Sequence, residues 1–356
     1  MSAVQSGLEG VVAFATQIAE PDREGGALRY RGVDLEELAG RVPFEHVWGL
    51  LVDGEPAPGL APAEPRELPL RSGDTRADVQ AAVAALGAEL APLIDVDAGQ
   101  VRDELARISA LTLDFVAQSA RGADLPEVPF PADGTLAERF LTRWRGEADP
   151  THAKAIDAYW VSAAEHGMNA STFTARVVAS TGADAAAAIS AGIGALSGPL
   201  HGGAPSRVLK MLDAVERSGD ATGWVNDALD AGERLMGFGH RIYRAEDPRA
   251  RVLRRTAREL HAPRFAAAEA LEAAALTALA ERKPDRVLAT NVEFWSAVVL
   301  DCAAVPPELF TPLFVCARTA GWSAHVLEQK HEGRLIRPTA LYTGEPPRSL
   351  EALAAG

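Results

Sequence analysis

Two cysteines in 356 residues leave little scope for covalent or metal scaffolding. Cys302 and Cys316 form no CxxC pair, and no further cysteine completes a metal cage. Spacing leaves a disulfide between them open. Both lie in apolar, helix-like segments, however, and read as buried small hydrophobes of a reducing compartment. Basic charge is also scarce: 35 Lys and Arg against 49 Asp and Glu give a net charge of −14. Such a balance argues against generic binding to nucleic acid or an anionic membrane. No continuous run of about 18 apolar residues marks a membrane span. The N-terminal MSAVQSGLEGVVAFATQIAEPDREGG has neither the basic and apolar regions of a signal peptide nor the arginines of a transit peptide. A cytoplasmic location is the expectation.

Several catalytic motifs are missing as well. There is no HExxH, and the eight histidines show no metal-ligand spacing, so no metal is expected. No Walker A loop occurs. GIGALSG at 192–198 is spaced G-x-G-x-x-x-G with no clear strand before it, which excludes a Rossmann fingerprint. GWSAH lacks the closing glycine of a nucleophile elbow.

What is present is helical patterning. Short strands are expected at Val11–Glu20 and Ala27–Gly32, around a turn at Glu24–Gly26. From Asp34 onward apolar residues recur three and four apart. The pattern predicts helices at Ala77–Leu93, Val101–Ser119, Leu136–Trp144, Pro150–His166, Ala170–Ser180, Ala183–Leu196 and Pro205–Val215. It continues through Val225–Leu235, Asp247–Leu260, Ala266–Glu281, Val287–Leu300 and Pro306–Gln329. Pro56–Pro69 and Gly122–Gly134 read as loops, and RLIRPTALYTG near the end has extended character. The fold class is mainly α.

Three segments are too unusual to be plain connectors: AEHGMNASTFTARVVAST (164–181), ALSGPLHGGAPSRVLKML (195–212) and RLMGFGHRIYRAEDPRAR (234–251). Each sets a histidine beside glycine at a helix boundary, where backbone can approach a ligand and free N–H groups favour anions. His201, in GPLHGG, suits a neutral ring held to donate one N–H, or a capping histidine in a tight turn. His240 precedes Arg241, Arg244 and Arg249, a positive cluster in an acidic chain. Arginine forks suit carboxylates and phosphates, although a solvated basic face has the same composition. His166 suits either a site residue or a buried histidine at a helix junction. Glu293, among Val292, Phe294 and Trp295, is either a desolvated general base with a raised pKa or a glutamate favouring a helix N-terminus. Arg318 and Arg337, taken singly, are weak signals.

Together these segments resemble the citrate synthase family. GPLHGGA, GFGHRIYRAEDPRA, HGMNASTFTARVVAST and NVEFWS look like its motifs, in its order. So do GLEGVVAFATQIAE…LRYRG near the start and RTAGWSAH…EQ…RLIRP near the end, and the likeness runs from about Gly7 to Gly344. The resemblance implies a two-domain helical fold with a few short N- and C-terminal strands. Residues 1–201 with 306–356 would form the large domain, and 202–305 a small domain closing over the cleft.

It also implies condensation of acetyl-CoA with oxaloacetate and hydrolysis of the resulting thioester to citrate and coenzyme A. No permanently bound cofactor or metal is implied; coenzyme A arrives as the thioester co-substrate. By resemblance, His201 stabilises the enol of acetyl-CoA, His240 bonds the acceptor's keto oxygen, and His166 is a further acceptor ligand. Arg249 and Arg318 would clamp carboxylates, and Arg337 would reach the neighbouring site of a homodimer. Arg241 and Arg244 fall where coenzyme A is bound. The catalytic base departs from the pattern: the family usually has aspartate where this chain has Glu293, one methylene longer.

This chemistry suits these residues. A thioester methyl is a very weak acid, so enolisation needs a carboxylate at carbon and a donor at the forming enolate oxygen. Glutamate with a neutral histidine, the division of labour in triosephosphate isomerase, meets that need. Propionyl-CoA in place of acetyl-CoA, as in 2-methylcitrate synthase, is the alternative donor. A non-catalytic metabolite-binding relative is the alternative of another class.

Overall fold

The computed structural model describes residues 6–8, 10–22, 24, 26–129, 131, 133–199, 201, 205–239, 243 and 246–349. Three short strands, β1 (Ala19–Asp22), β2 (Ala27–Tyr30) and β3 (Val33–Asp34), pair antiparallel in that order. Ala19 faces Tyr30 and Arg29 faces Asp34. The expected strand from Val11 begins only at Ala19. Val11 and Val12 are exposed, and no neighbouring strand pairs with them among the described residues.

Fourteen α-helices follow among the described residues. They are α1 (Leu35–Leu38), α2 (Phe44–Asp53), α3 (Thr75–Leu86), α4 (Ala98–Arg121), α5 (Leu136–Arg145), α6 (Pro150–Ala163), α7 (Ala170–Ser180) and α8 (Ala185–Leu196). Then come α9 (Pro205–Ser218), α10 (Ala221–Asp230), α11 (Pro248–Glu259), α12 (Phe265–Arg282), α13 (Val292–Cys302) and α14 (Phe310–Glu332). Many begin on an Asx or Thr side chain that takes an otherwise unpaired N–H of the first turn. Asp74 caps α3, Asp97 caps α4, Asp184 caps α8, and Thr135 with Glu138 forms a full capping box on α5.

Where periodicity misplaces an end, a cap or breaker is the cause. The predicted helix Ala77–Leu93 stops at Leu86, because Gly87 and Pro92 turn the chain into short 3-10 segments. By length and composition alone, Thr75–Asp95 would suffice to cross a membrane. Instead it breaks at Gly87, and its helix α3 packs on α4 and α8. α10 starts four residues before the predicted Val225, because Asp220 caps the Gly223 amide. α13 starts at Val292 rather than Val287, at the Asn291 cap. The C-terminal stretch 333–349 carries no strand among the described residues.

α14 organises the core. Its residues are buried on every side from Phe310 to Gln329, as expected of a helix that others surround. It packs against α2, α4, α6, α7 and α8. A second group forms where α9 meets α10, α12 and α13, and α11 meets α13. α6 joins the two, touching α14 on one hand and α11 and α13 on the other. Cys302 and Cys316 are both free thiols.

Candidate active site

The unusual glycine–histidine segments converge where α6 ends and where α7, α11 and α13 begin, alongside the middle of α14. Three Asx caps start the helices concerned. Asn169 accepts from the Thr172 amide at 3.1 Å, Asp247 from Arg249 at 3.0 Å and Asn291 from Glu293 at 3.0 Å. Motifs and caps are therefore the same feature: the residues that end a loop also aim helix N-termini inward.

His201 follows α8 and is half-buried. Its amide donates to the Gly198 carbonyl at 2.9 Å, closing the GPLH turn. Its Nε2 lies 2.9 Å from Ser171 Oγ and 3.4 Å from the Ser171 amide nitrogen. An amide can only donate, so we assign Nε2 as the acceptor and Nδ1 as the nitrogen that carries the proton. The Ser171 hydroxyl is held in turn by Asn169 Oδ1 at 2.9 Å, and Trp322 Nε1 donates to it at 3.3 Å. Burial, aided by the positive charge of Arg318, pulls the His201 pKa down to about 4. The ring is therefore neutral near pH 7, with Nδ1–H as its donor.

His166 is buried, and its Nε2 lies 3.0 Å from the Tyr243 hydroxyl, with the two rings edge to face. Arg249 is buried on the first turn of α11. Its Nε and Nη2 donate to the two carboxylate oxygens of Asp247 at 3.0 and 2.8 Å. Burial disfavours the Arg249 charge, but Asp247 outweighs it and the pKa is raised. Asp247 Oδ2 also accepts the Val292 amide at 3.1 Å, which ties the start of α11 to that of α13.

Glu293 sits half-buried on the first turn of α13. Desolvation pushes its pKa up, opposed by the fields of Arg249 and Arg234. The loop before His240 is fastened to the same helix start. Asn291 Nδ2 donates to the Gly239 carbonyl at 2.8 Å, and the Asn291 amide to Gly237 at 2.9 Å. Gly237 has φ +86°, and a Cβ there would lie 2.7 Å from Phe294 Cβ, so the motif requires glycine.

Arg318, buried in α14, donates through Nε to the Ala163 carbonyl at 3.0 Å and lies 4.7 Å above the Phe314 ring. Desolvation lowers its pKa, and repulsion from Arg249 adds to that effect. Two buried guanidinium groups thus share one neighbourhood with His201 and Glu293, an arrangement that favours a dianionic ligand.

Of the residues singled out in the sequence, His166, His201, Arg249, Glu293 and Arg318 are linked through these bonds and fields. Arg337 is exposed on the stretch after α14 and stands apart from them within one chain. His240, Arg241 and Arg244 lie outside the described residues. Ser171, Tyr243 and the double duty of Asp247 escaped sequence reading. Nothing in the sequence tied Ser171 to a histidine 30 positions away.

Comparison with known proteins gives a consistent result. The family model "Citrate synthase, C-terminal domain" matches residues 7–66 and 63–339. The chain is 63% identical over 353 residues to the "Putative citrate synthase 2" of Mycobacterium tuberculosis, covering 98% of this chain and 95% of that one. It is 38% identical to the citrate synthase of Haloferax volcanii, over 96% of each chain. It is 33% identical to 2-methylcitrate synthase 2 of Corynebacterium glutamicum, over 98% of this chain and 96% of that one. Among solved structures, the Thermoplasma acidophilum citrate synthase in ternary complex with carboxymethyl coenzyme A and oxaloacetate superposes with a TM-score of 0.85. That match has 28% identity and covers 99% of this chain and 100% of that one.

Proposed function

Because this chain belongs to the citrate synthase family and is a transferase of that type, we propose that it forms citrate from acetyl-CoA and oxaloacetate with His201, His240 and Glu293 as its catalytic residues. The observation that carries the reading is the Ser171–His201 contact, which leaves a neutral imidazole with Nδ1–H as its donor.

Glu293 takes a proton from the acetyl methyl group while His201 donates to the forming enolate oxygen. A neutral donor stabilises that oxygen without having to surrender a full proton. His240 bonds the acceptor's keto oxygen and assists its protonation as the new carbon–carbon bond forms. Arg249, Arg318 and His166 bind the acceptor. Its two carboxylates meet two buried guanidinium groups, one of which, Arg318, is destabilised by burial and by the charge of Arg249. Hydrolysis of the thioester then releases citrate and coenzyme A and makes the sequence effectively irreversible. Every step is assigned to side chains, and the reading calls for no metal or resident cofactor. Arg241 and Arg244 are proposed to meet the coenzyme A phosphates.

We assign 1–201 with 306–356 to a larger domain and 202–305 to a smaller one closing over the cleft. α6 touches helices of both groups. The proposed assembly is a homodimer in which Arg337 completes the neighbouring site. A cytoplasmic place in the tricarboxylic acid cycle fits the two free thiols.

The deciding experiment is steady-state release of coenzyme A thiol with oxaloacetate and either acetyl-CoA or propionyl-CoA. A clear preference in kcat/KM for acetyl-CoA is expected. One methylene is worth only about 1–3 kcal/mol in a pocket, so a preference for propionyl-CoA would move the assignment to 2-methylcitrate synthase. Oxaloacetate binding without thiol release would make the chain a non-catalytic relative.

A further inference from the structure

Behind the proposed acceptor site lies a charged cluster that the reaction does not use. Glu165 directly precedes His166 and is fully buried. Its carboxylate fills the gap that Gly321 leaves in α14. A Cβ on Gly321 would lie 2.0 Å from Glu165 Oε2 and 2.6 Å from the Ala164 carbonyl oxygen. Gly321 stands one turn after Arg318 and one turn before His325, so the three share a face of the helix. Arg318 Nε donates at 3.0 Å to the carbonyl of Ala163, two residues before Glu165. On the other side, His325 Nε2 faces Glu165 Oε1 at 3.4 Å, too poorly aligned for a hydrogen bond. Neither carboxylate oxygen of Glu165 has a hydrogen-bond partner.

The neighbours of the cluster show which charge Glu165 answers. Arg176 has no acceptor, and its Nη1 donates to His325 Nδ1 at 3.1 Å. The His325 ring proton is therefore on Nε2, toward Glu165. The charge of Arg176 is met by Glu328 at 2.5 Å and Glu332 at 2.9 Å. The remaining full positive charge in the neighbourhood is Arg318, which lies beyond ion-pair distance of the carboxylate but acts on it through its field. Burial pushes the Glu165 pKa up, and the Nε2–H dipole of His325 with the field of Arg318 holds it below the ordinary value. A buried carboxylate without hydrogen bonds is costly unless it opposes a charge.

We propose that Glu165 is the resting counter-ion of Arg318, a positioning residue that balances the guanidinium from behind and leaves its two Nη nitrogens uncommitted. The proposal rests on the reading of Arg318 as a ligand for an acceptor carboxylate. It follows that the acceptor binds against the negative charge of Glu165 and then takes over as the principal counter-ion.

The test is oxaloacetate binding by isothermal titration at fixed ionic strength, together with urea unfolding without ligand. Glu165→Gln is expected to bind oxaloacetate about three- to tenfold more tightly than the parent, the size of one partly screened charge interaction. Its urea midpoint is expected to fall. Glu165→Asp, which keeps the charge, should stay within about twofold of the parent Kd by the same reasoning. A merely structural role would weaken binding, so an unchanged or raised Kd in Glu165→Gln overturns the proposal. Should that variant not fold, the double variant Glu165→Gln/Arg318→Gln is expected to recover folded protein, because both buried partners are gone. A double variant no more stable than the single overturns it too. Arg318→Gln alone with the parent Kd would refute Arg318 as a carboxylate ligand, a distinct failure that also removes the basis for this inference.

Discussion

Asp247 holds Arg249 with both carboxylate oxygens, at 3.0 and 2.8 Å, and with one of them also accepts the amide of Val292, the residue before Glu293. One buried side chain thus sets an arginine assigned to the acceptor and the helix start that carries the proposed base. In Asp247→Asn the bidentate charge pair is lost, and a neutral amide oxygen takes the place of the carboxylate beside the buried Arg249. Breaking one side of such a pair costs about 3–5 kcal/mol. We expect the KM for oxaloacetate to rise and kcat to fall together, each by at least tenfold, on the scale set by misplaced catalytic groups. Steady-state kinetics with varied oxaloacetate checks this, and parent values for both constants would dismiss the double duty of Asp247.

The Glu293 carboxylate is the group whose ionisation should govern the acid limb of the rate. Its folded pKa is raised by desolvation. The base works only when ionised, so activity is lost as pH falls through that raised value, higher than the ~4.3 of an unperturbed glutamate. Glu293→Gln should lower kcat by about 10²–10⁴-fold and abolish the limb. Glu293→Asp shortens the side chain by about 1.5 Å, and we expect a loss of up to ~100-fold if this backbone is fitted to glutamate. A faster aspartate variant would show instead that the native residue is detuned. A pH–rate profile of all three proteins decides.

The Ser171 amide fixes the tautomer of His201, and the Ser171 hydroxyl lies 2.9 Å from the same Nε2. Ser171→Ala removes the hydroxyl and keeps the amide, so the ring should still favour Nδ1–H but hold it less firmly. We expect kcat to fall about tenfold, the worth of one positioned hydrogen bond, with little change in the KM for acetyl-CoA. Loss confined to KM would mean that Ser171 shapes binding and not the enolisation step.

These residues show where sequence reading succeeds and stops. Glycine–histidine boundaries and Asx caps are local, so the segments around His166, His201 and Asp247 stand out in the bare chain. Helix ends follow wherever a cap is heeded and slip where it is not: Asn291 moves the start of α13 by five residues from the predicted Val287. Glu165, His325 and Arg176 are not legible in this way. Their significance depends on α7 and the end of α6 meeting α14 about 150 positions later, and periodicity does not encode which buried polar atoms meet. The loop before Glu293 reads as helix because it is apolar, but Leu288 packs at the Gly237–Gly239 turn and Val287 is exposed.

Asp157 on α6 offers a stability test away from the site. It accepts the Phe44 amide at 2.9 Å, and burial, with Glu45 and Glu138 nearby, raises its pKa to about 7. The folded state therefore holds a proton that the unfolded chain releases near pH 4. Stability contributed by the neutral form is present below that unfolded value and is lost as pH rises toward 7, then stays level. Asp157→Asn keeps the acceptor for Phe44 without the ionisation. Its advantage over the parent should be near zero at pH 4, grow to ~1–3 kcal/mol by pH 7 and remain constant above. Urea unfolding across that range measures it, and a difference independent of pH would rule out Asp157 as the titrating group.

Arg337 supplies the test of assembly. It lies exposed on a stretch without regular structure, which the Ile336 amide fastens to Ser180 Oγ at the end of α7 at 3.1 Å. Within one chain it joins none of the site residues described, and the dimer reading gives it the neighbouring site instead. Glu293→Gln and Arg337→Gln should each be inactive alone. If Arg337 acts across the interface, a mixed dimer has one site that lacks both groups and one that has both intact. Random reassociation of equal amounts makes half the dimers mixed, so about a quarter of all sites should work. If Arg337 acts within its own subunit, every site in every dimer lacks one group and no activity returns. Mixing the two inactive proteins after mild dissociation, and following thiol release, separates the two arrangements: recovery toward a quarter places Arg337 in trans, and none places it in cis.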